Sequence, residues 1–251
     1  MSNDQFMVPI DNSKASSRFR ELLKLRWSPV AVRLIKNNED LNDIPELSPQ
    51  RIRYCQLLMK AKKGEGATLT RENISCPAAA AALGLSPLPE KISSGEMLET
   101  MGLFTARKAA ATTMAQMPRL QQGKIKAVAA APLEKAKFTP DIVIIEDQPE
   151  KIMWINLAAI HETGGRLSFN SAVFQACCVD VTVVPYLTRS VNISLGCYGC
   201  RDATDIADDE CLVGIPIERL DGILGSIEAL SKKAMLHARE KRTYNRQIGE
   251  L

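Results

Sequence analysis

The cysteines of this chain are widely dispersed, and that dispersal constrains its fold more than any other feature. There are seven: Cys55, Cys76, the adjacent Cys177 and Cys178, Cys197 and Cys200 in Gly-Cys-Tyr-Gly-Cys-Arg, and Cys211. Only Cys197 and Cys200 are spaced as a local Cys-x-x-Cys pair, so a site built from the others has to be closed by tertiary structure. With two histidines in the chain, His161 and His237, such a site is sulfur-rich, which selects zinc or iron–sulfur chemistry over hard cations. An odd cysteine count fits poorly with a fully paired disulfide framework. Reduced thiols suit a cytoplasmic protein.

The rest of the composition narrows the class. At 251 residues, 45% hydrophobic and 24% charged, the chain can bury a substantial core as one domain. A balance of 32 basic against 29 acidic side chains is too even to argue for nucleic acid. No apolar stretch reaches membrane-span length, and the polar start does not resemble a signal peptide. The expected layout is a mobile segment over 1–17, one globular domain over 18–240 and a charged tail over 241–251.

Periodicity and breakers predict the elements. A helix over 19–25 stops before Pro29, and 30–35 reads as a buried strand. A second helix is expected from Ser48-Pro49 to about 63, and a short strand over 67–70 follows the Gly64-Glu65-Gly66 break. Cys76-Pro77 opens an alanine-rich helix over 78–83, stopped by Gly84, and further helical segments are expected over 95–103 and 105–117. Strands are predicted over 127–131, 141–145, 166–169, 191–195 and 212–215, with helices over 149–159 and, as a helix or helix–strand junction, over 172–185. A single long amphipathic helix is expected over 217–239. The fold class is α+β or α/β: a single compact domain with a mixed sheet flanked by helices and a long C-terminal helix.

Taken singly, the cysteines differ in character. Cys76 precedes a proline at a helix start, where backbone N–H groups favour a thiolate. Cys55 lies among apolar neighbours and alone reads as core. Cys177 and Cys178 point in different directions in helix or strand, which argues against a shared role. Cys197 follows a strand in a glycine-flanked loop, and Gly196 and Gly199 would let backbone N–H groups approach a sulfur ligand or inorganic sulfide. Cys197 and Cys200 also fit a thioredoxin-like dithiol, and Cys211 reads as structural. Spacing alone leaves a bound metal or cluster and scattered structural thiols both open.

Several segments together resemble the bacterial and archaeal domain-of-unknown-function family 169. They include Ser28-Pro29-Val30-Ala31-Val32, Arg53-Tyr54-Cys55-Gln56, Ser75-Cys76-Pro77, Glu162-Thr163-Gly164-Gly165, Ala176-Cys177-Cys178 and Leu195-Gly196-Cys197-Tyr198-Gly199. The resemblance runs from about Phe19 to Ser231 and carries no activity with it. It implies a ligand set, because the family pattern has cysteines matching Cys55, Cys76, Cys178 and Cys197, whereas Cys177, Cys200 and Cys211 fall outside it. Four dispersed thiolates are what a 4Fe–4S cluster requires. Zinc is the alternative cofactor, although structural zinc usually draws on local Cys-x-x-Cys knuckles.

The resulting expectation is a cytoplasmic iron–sulfur protein serving electron transfer, redox sensing or small-ligand chemistry. Its partners would be an unknown redox protein or small molecule, with no nucleic acid and no membrane, and homo-oligomerisation is left open. The alternatives are a metal-free thiol redox enzyme using Cys197 and Cys200, or a zinc-stabilised cofactor-binding module. His161 and Glu162 could form an acid/base pair, although a helix-terminal histidine bonding the last carbonyls is the simpler reading. No dinucleotide-binding, phosphate-loop, hydrolase-elbow or zinc-protease motif is present.

Overall fold

A computed structural model describes residues 10–37, 39, 42–172 and 174–248. Six strands form one sheet in the order β2-β3-β1-β4-β6-β5. They are β1 (Val30–Lys36), β2 (Ala67–Thr70), β3 (Ile125–Pro132), β4 (Ile142–Asp147), β5 (Asn192–Ser194) and β6 (Cys211–Pro216). The α+β class holds, but every paired neighbour is antiparallel, in place of the mixed sheet expected. Among the described residues, parallel contact is confined to two isolated bridges, Leu47 with Thr68 and Ile52 with Ile74.

The reason lies in burial. Helices cover both faces of this sheet, so its strands are apolar at nearly every position, a pattern usually associated with parallel strands. Side-chain alternation then divides each strand between two cores. Val30, Val32, Leu34, Val128, Ala130, Ile142, Ile144 and Leu212 face one, and Ala31, Ile35, Ala127, Ala129, Val143, Ile145, Val213 and Ile215 face the other.

The second face is covered by α1 (Asn12–Leu23), α7 (Pro149–Ile160) and α10 (Leu220–Ser231), packed through Phe19, Leu23, Ile155, Leu220, Ile223, Leu224 and Ile227. Helix α1 starts at Asn12, where Asp11 accepts a cap bond from the Lys14 N–H, so the expected mobile segment is helical from that point. Residues 1–9 of that segment lie outside the described residues. The expected long C-terminal helix is broken: α10 ends at Ser231, and α11 (Ala234–Arg239) and α12 (Arg242–Ile248) follow as separate short helices. The last three residues of the expected charged tail also lie outside the described residues.

The first face carries shorter elements. Helix α2 (Tyr54–Lys62) begins later than expected because Ser48 and Ile52 spend their N–H groups on the Thr68 and Asn73 carbonyls, outside any helix. Helix α3 (Pro77–Ala82) is followed by α4 (Glu90–Ser93), α5 (Glu96–Thr100) and α6 (Arg107–Ala115), which pack on one another as a small cap. No strand forms over 166–169; the chain instead enters a π-helix, Ala176–Val183, that runs into α8 (Val184–Thr188). Finally α9 (Tyr198–Ala203) links β5 to β6. Among the described residues, no helix is long and apolar enough to cross a membrane.

Candidate functional site

Helix α2 organises the sulfur-bearing segments. Its first turn holds Cys55, and the neighbouring residues reach out to each other cysteine-carrying element. Arg53 donates from Nη1 to the Gly199 carbonyl (3.1 Å), and Gln56 donates to the Ala203 carbonyl (3.1 Å), which fixes α9 alongside α2. Ser75 N–H bonds the Ile52 carbonyl (2.9 Å), which places Cys76 next to the start of α2. Thr182 Oγ1 donates to the Cys177 carbonyl (2.7 Å) and therefore accepts from the buried Tyr54 hydroxyl (2.9 Å), tying the π-helix to the same helix. Burial pushes the Tyr54 phenol well up, so it remains a donor.

The π-helix sits against β6, where a Cβ on Gly214 would run into the Val181 carbonyl. Only glycine at this strand position allows so close a backbone approach. Such wide helical turns recur at functional sites. Opposite, Cys76 caps α3, whose five alanines are all buried, and α3 packs on the π-helix. Cys197 caps α9, its sulfur accepting the Cys200 N–H at 3.3 Å.

These elements bring Cys55, Cys76, Cys177, Cys178, Cys197 and Cys200 to the wall of one cavity of about 360 Å³. All are buried except Cys76, which is half-buried, and all are free thiols. Three of them touch in a row: Cys197 Sγ is 3.0 Å from Cys200 Sγ, which is 3.6 Å from Cys177 Sγ. Cys178 donates to the Gln175 carbonyl at 3.6 Å. Contact with the Cys200 thiol, and then burial, push Cys177 well above the ordinary thiol range. The same two causes raise Cys197, against the pull of the Ala176 and Cys200 N–H groups. Burial, then the nearby Cys76, raises Cys178. Without a metal these three remain protonated at neutral pH.

All four cysteines singled out through the family resemblance therefore line the cavity, together with Cys177 and Cys200, which the resemblance left out. Adjacent residues of the wider π-helical turn are closer in angle than those of an α-helix, and this cavity takes Cys177 and Cys178 both. Cys211 does not join them. It faces the opposite core from β6, where burial raises its thiol to about 11. Gly199 lines the cavity, and Gly196, with a left-handed φ of 82°, does not. A side chain at Gly196 would meet Arg201, whose guanidinium bonds the Leu195, Ala207 and Glu210 carbonyls and so braces the Cys197 turn. His161 is exposed at the end of α7, and neither it nor Glu162 lines the cavity.

Among the described residues, no group of three or more His, Cys, Asp or Glu side chains is arranged to hold a single metal ion. The six cysteines line the cavity, three of them with their sulfurs in contact in a row.

Comparison with known proteins identifies the kind of chain that carries this arrangement. A protein of Methanocaldococcus jannaschii named "Uncharacterized protein MJ0308" is 28% identical over 216 residues, covering 85% of this chain and 92% of that protein. No solved structure matches. The family model DUF169, described as "Uncharacterised ArCR", matches residues 18–225, a stretch that contains all seven cysteines and every strand of the sheet, and the chain belongs to that family.

Proposed function

We propose that this protein holds a 4Fe–4S cluster in the cysteine cavity and uses it for one-electron transfer or redox chemistry on a small molecule. Cys55, Cys76, Cys178 and Cys197 would be the thiolate ligands, with Cys177 and Cys200 as neighbouring thiols. The observation that carries the reading is the convergence of six cysteines from four separated chain segments on one cavity, without a disulfide. Buried thiols without a cation are costly as thiolates, and metal coordination supplies the charge that would deprotonate them.

A cluster fits this donor set better than zinc. A structural zinc ion needs four ligands converging at about 2.3 Å on a single point. Thiols spread around a cavity instead suit a multi-atom group with one metal at each corner. When bound, such a cluster supplies a one-electron couple tuned by burial and by hydrogen bonds to its sulfurs. The chain's own part is to hold the ligands on four braced elements, to aim the Ala176 and Cys200 N–H groups at Cys197, and to bring the Arg53 cation to the cavity wall. Seven free thiols also suit a reducing compartment such as the cytoplasm.

A metal-free dithiol is the second reading, favoured by the 3.0 Å approach of Cys197 and Cys200. Its weakness is the raised Cys197 thiol, because reactive dithiols have a depressed one. The test is iron, acid-labile sulfide and zinc content of anaerobically purified protein, read with the visible spectrum. The expected result is about four irons and four sulfides per chain, with a broad band that bleaches on reduction. Serine at Cys55, Cys76, Cys178 or Cys197 should lower iron at least tenfold, and serine at Cys211 should leave it unchanged. One zinc without colour would replace the cluster with a structural ion. Protein free of metal would leave the dithiol.

A further inference from the structure

The cavity has two unlike walls. One carries the six sulfurs. The other is built by the cap and by the approach to the π-helix, through Ile92, Met97, Leu98, Met101, Leu103 and Phe174. None of these six side chains carries a thiolate or an N–H or O–H donor. A group bound by the sulfurs would thus share the cavity with a largely apolar lining, to which Gln175 beside Phe174 adds one amide. The whole cavity, about 360 Å³, falls in the range of small-molecule sites, roughly 300–1,000 Å³.

We propose that the cap side of this cavity binds a small, uncharged, largely apolar organic molecule, sandwiched between the cap and the sulfur wall. Charge is placed to exclude other classes. The charged lining residues are Arg53, directly before α2, and Asp202 in α9, and both belong to elements of the sulfur wall. A charged ligand would find no partner on the cap. Methionines suit this task because they are flexible and polarizable and refill irregular space around different shapes. Met97 and Met101 are 38% and 48% exposed, which leaves them free to adjust. Phe174 is held more firmly, stacked on Phe104 with ring centroids 5.5 Å apart, and gives the apolar wall a flat, fixed part. The inference rests on the cluster reading only for what the ligand meets on its far side, because the apolar wall belongs to the chain itself.

Fluorotoluene is a suitable neutral probe, followed by the width of its fluorine NMR line as protein is added. Metal-free and metal-loaded protein are both titrated, and iron is measured on the same samples. Saturable broadening is expected with the native chain. The double variant Met97→Glu, Met101→Glu should bind at least tenfold more weakly while keeping its iron content. Met153→Glu, at an exposed residue of α7 outside the cavity lining, should bind like the native chain. Absence of saturable binding in both forms, or equal affinity in the double variant, overturns the proposal. Anaerobically purified protein that carries no iron as isolated yet binds the probe overturns the cluster reading alone. Iron-loaded protein that ignores the probe overturns the ligand site alone.

Discussion

Helix α2 ends in two chemically opposite environments. At its start, Cys55 joins thiols that bond one another and backbone groups. At its end, Lys62 is buried against Glu146, and its Nζ lies 4.7 Å from the Trp27 ring centroid. Trp27 Nε1 donates to Glu210 at 3.0 Å, and Arg26 lies 3.5 Å from the same carboxylate. The ionic end supplies its own counter-charges. At the sulfur end the thiols meet one another and backbone groups in place of ionic partners. A buried polar group that is compensated from within serves the fold, whereas a set that is not compensated points to a ligand.

The largest expected effect comes from breaking the ionic end. Lys62→Met strands the buried Glu146 without its ion-pair partner and should cost about 3–5 kcal/mol, read by urea unfolding. Iron content of the folded fraction should hold. If iron is lost in step with stability, the two ends of α2 are one unit and the contrast fails.

The next effect is a pH dependence confined to that end. Burial raises Glu146 from 4.5 to about 7, with Glu210 adding to the rise and Lys62 opposing it. The folded state then keeps a proton that the unfolded chain releases. Stability from this group is full below pH 4.5 and falls away as pH rises to about 7, by on the order of 2–3 kcal/mol. Burial also pushes Glu210 up, but the Ala207 and Trp27 N–H groups outweigh it and hold Glu210 below its ordinary value. Its contribution therefore has the opposite sign and is lost only as pH falls on the acid side. Glu146→Gln should flatten the fall between pH 5 and 7 in denaturant midpoints. An unchanged slope would assign the titration elsewhere.

The third effect targets the sulfur end from outside it. Gly214→Ala pushes the Val181 backbone and should cost about 1–3 kcal/mol. Because the π-helix carries Cys177 and Cys178, iron retention should drop more sharply than stability does. Full retention would mean that the π-helix does not set the site.

Much of this was legible in the residues. Apolar runs marked β1, β4 and β6, and Cys76-Pro77 marked α3, because proline and strand-length apolar segments leave local signals. Strand direction was not legible, since a strand buried on both faces looks alike in either orientation. The break between α10 and α11 at Lys232-Lys233 was hidden by helix-compatible residues on both sides. At the site, dispersal of the cysteines predicted tertiary closure, but membership in the cavity depended on details without a sequence code. Cys177 joined through a π-helix that Gly214 permits, and Cys211 was kept out by strand parity. Gly214 itself was a readable clue, as a glycine inside an otherwise apolar strand marks a close backbone approach.

The cap begins and ends at nearly the same place. Leu120 N–H bonds the Ala82 carbonyl and Gly123 N–H bonds the Gly84 carbonyl, each at 2.9 Å, so the intervening chain leaves the end of α3 and returns to it. Such a detour can lengthen, shorten or change its side chains without altering any strand register. Redesign by exchange of this segment is therefore possible: its apolar wall can be rebuilt for a different guest while the thiol-bearing elements on the other side keep their bracing.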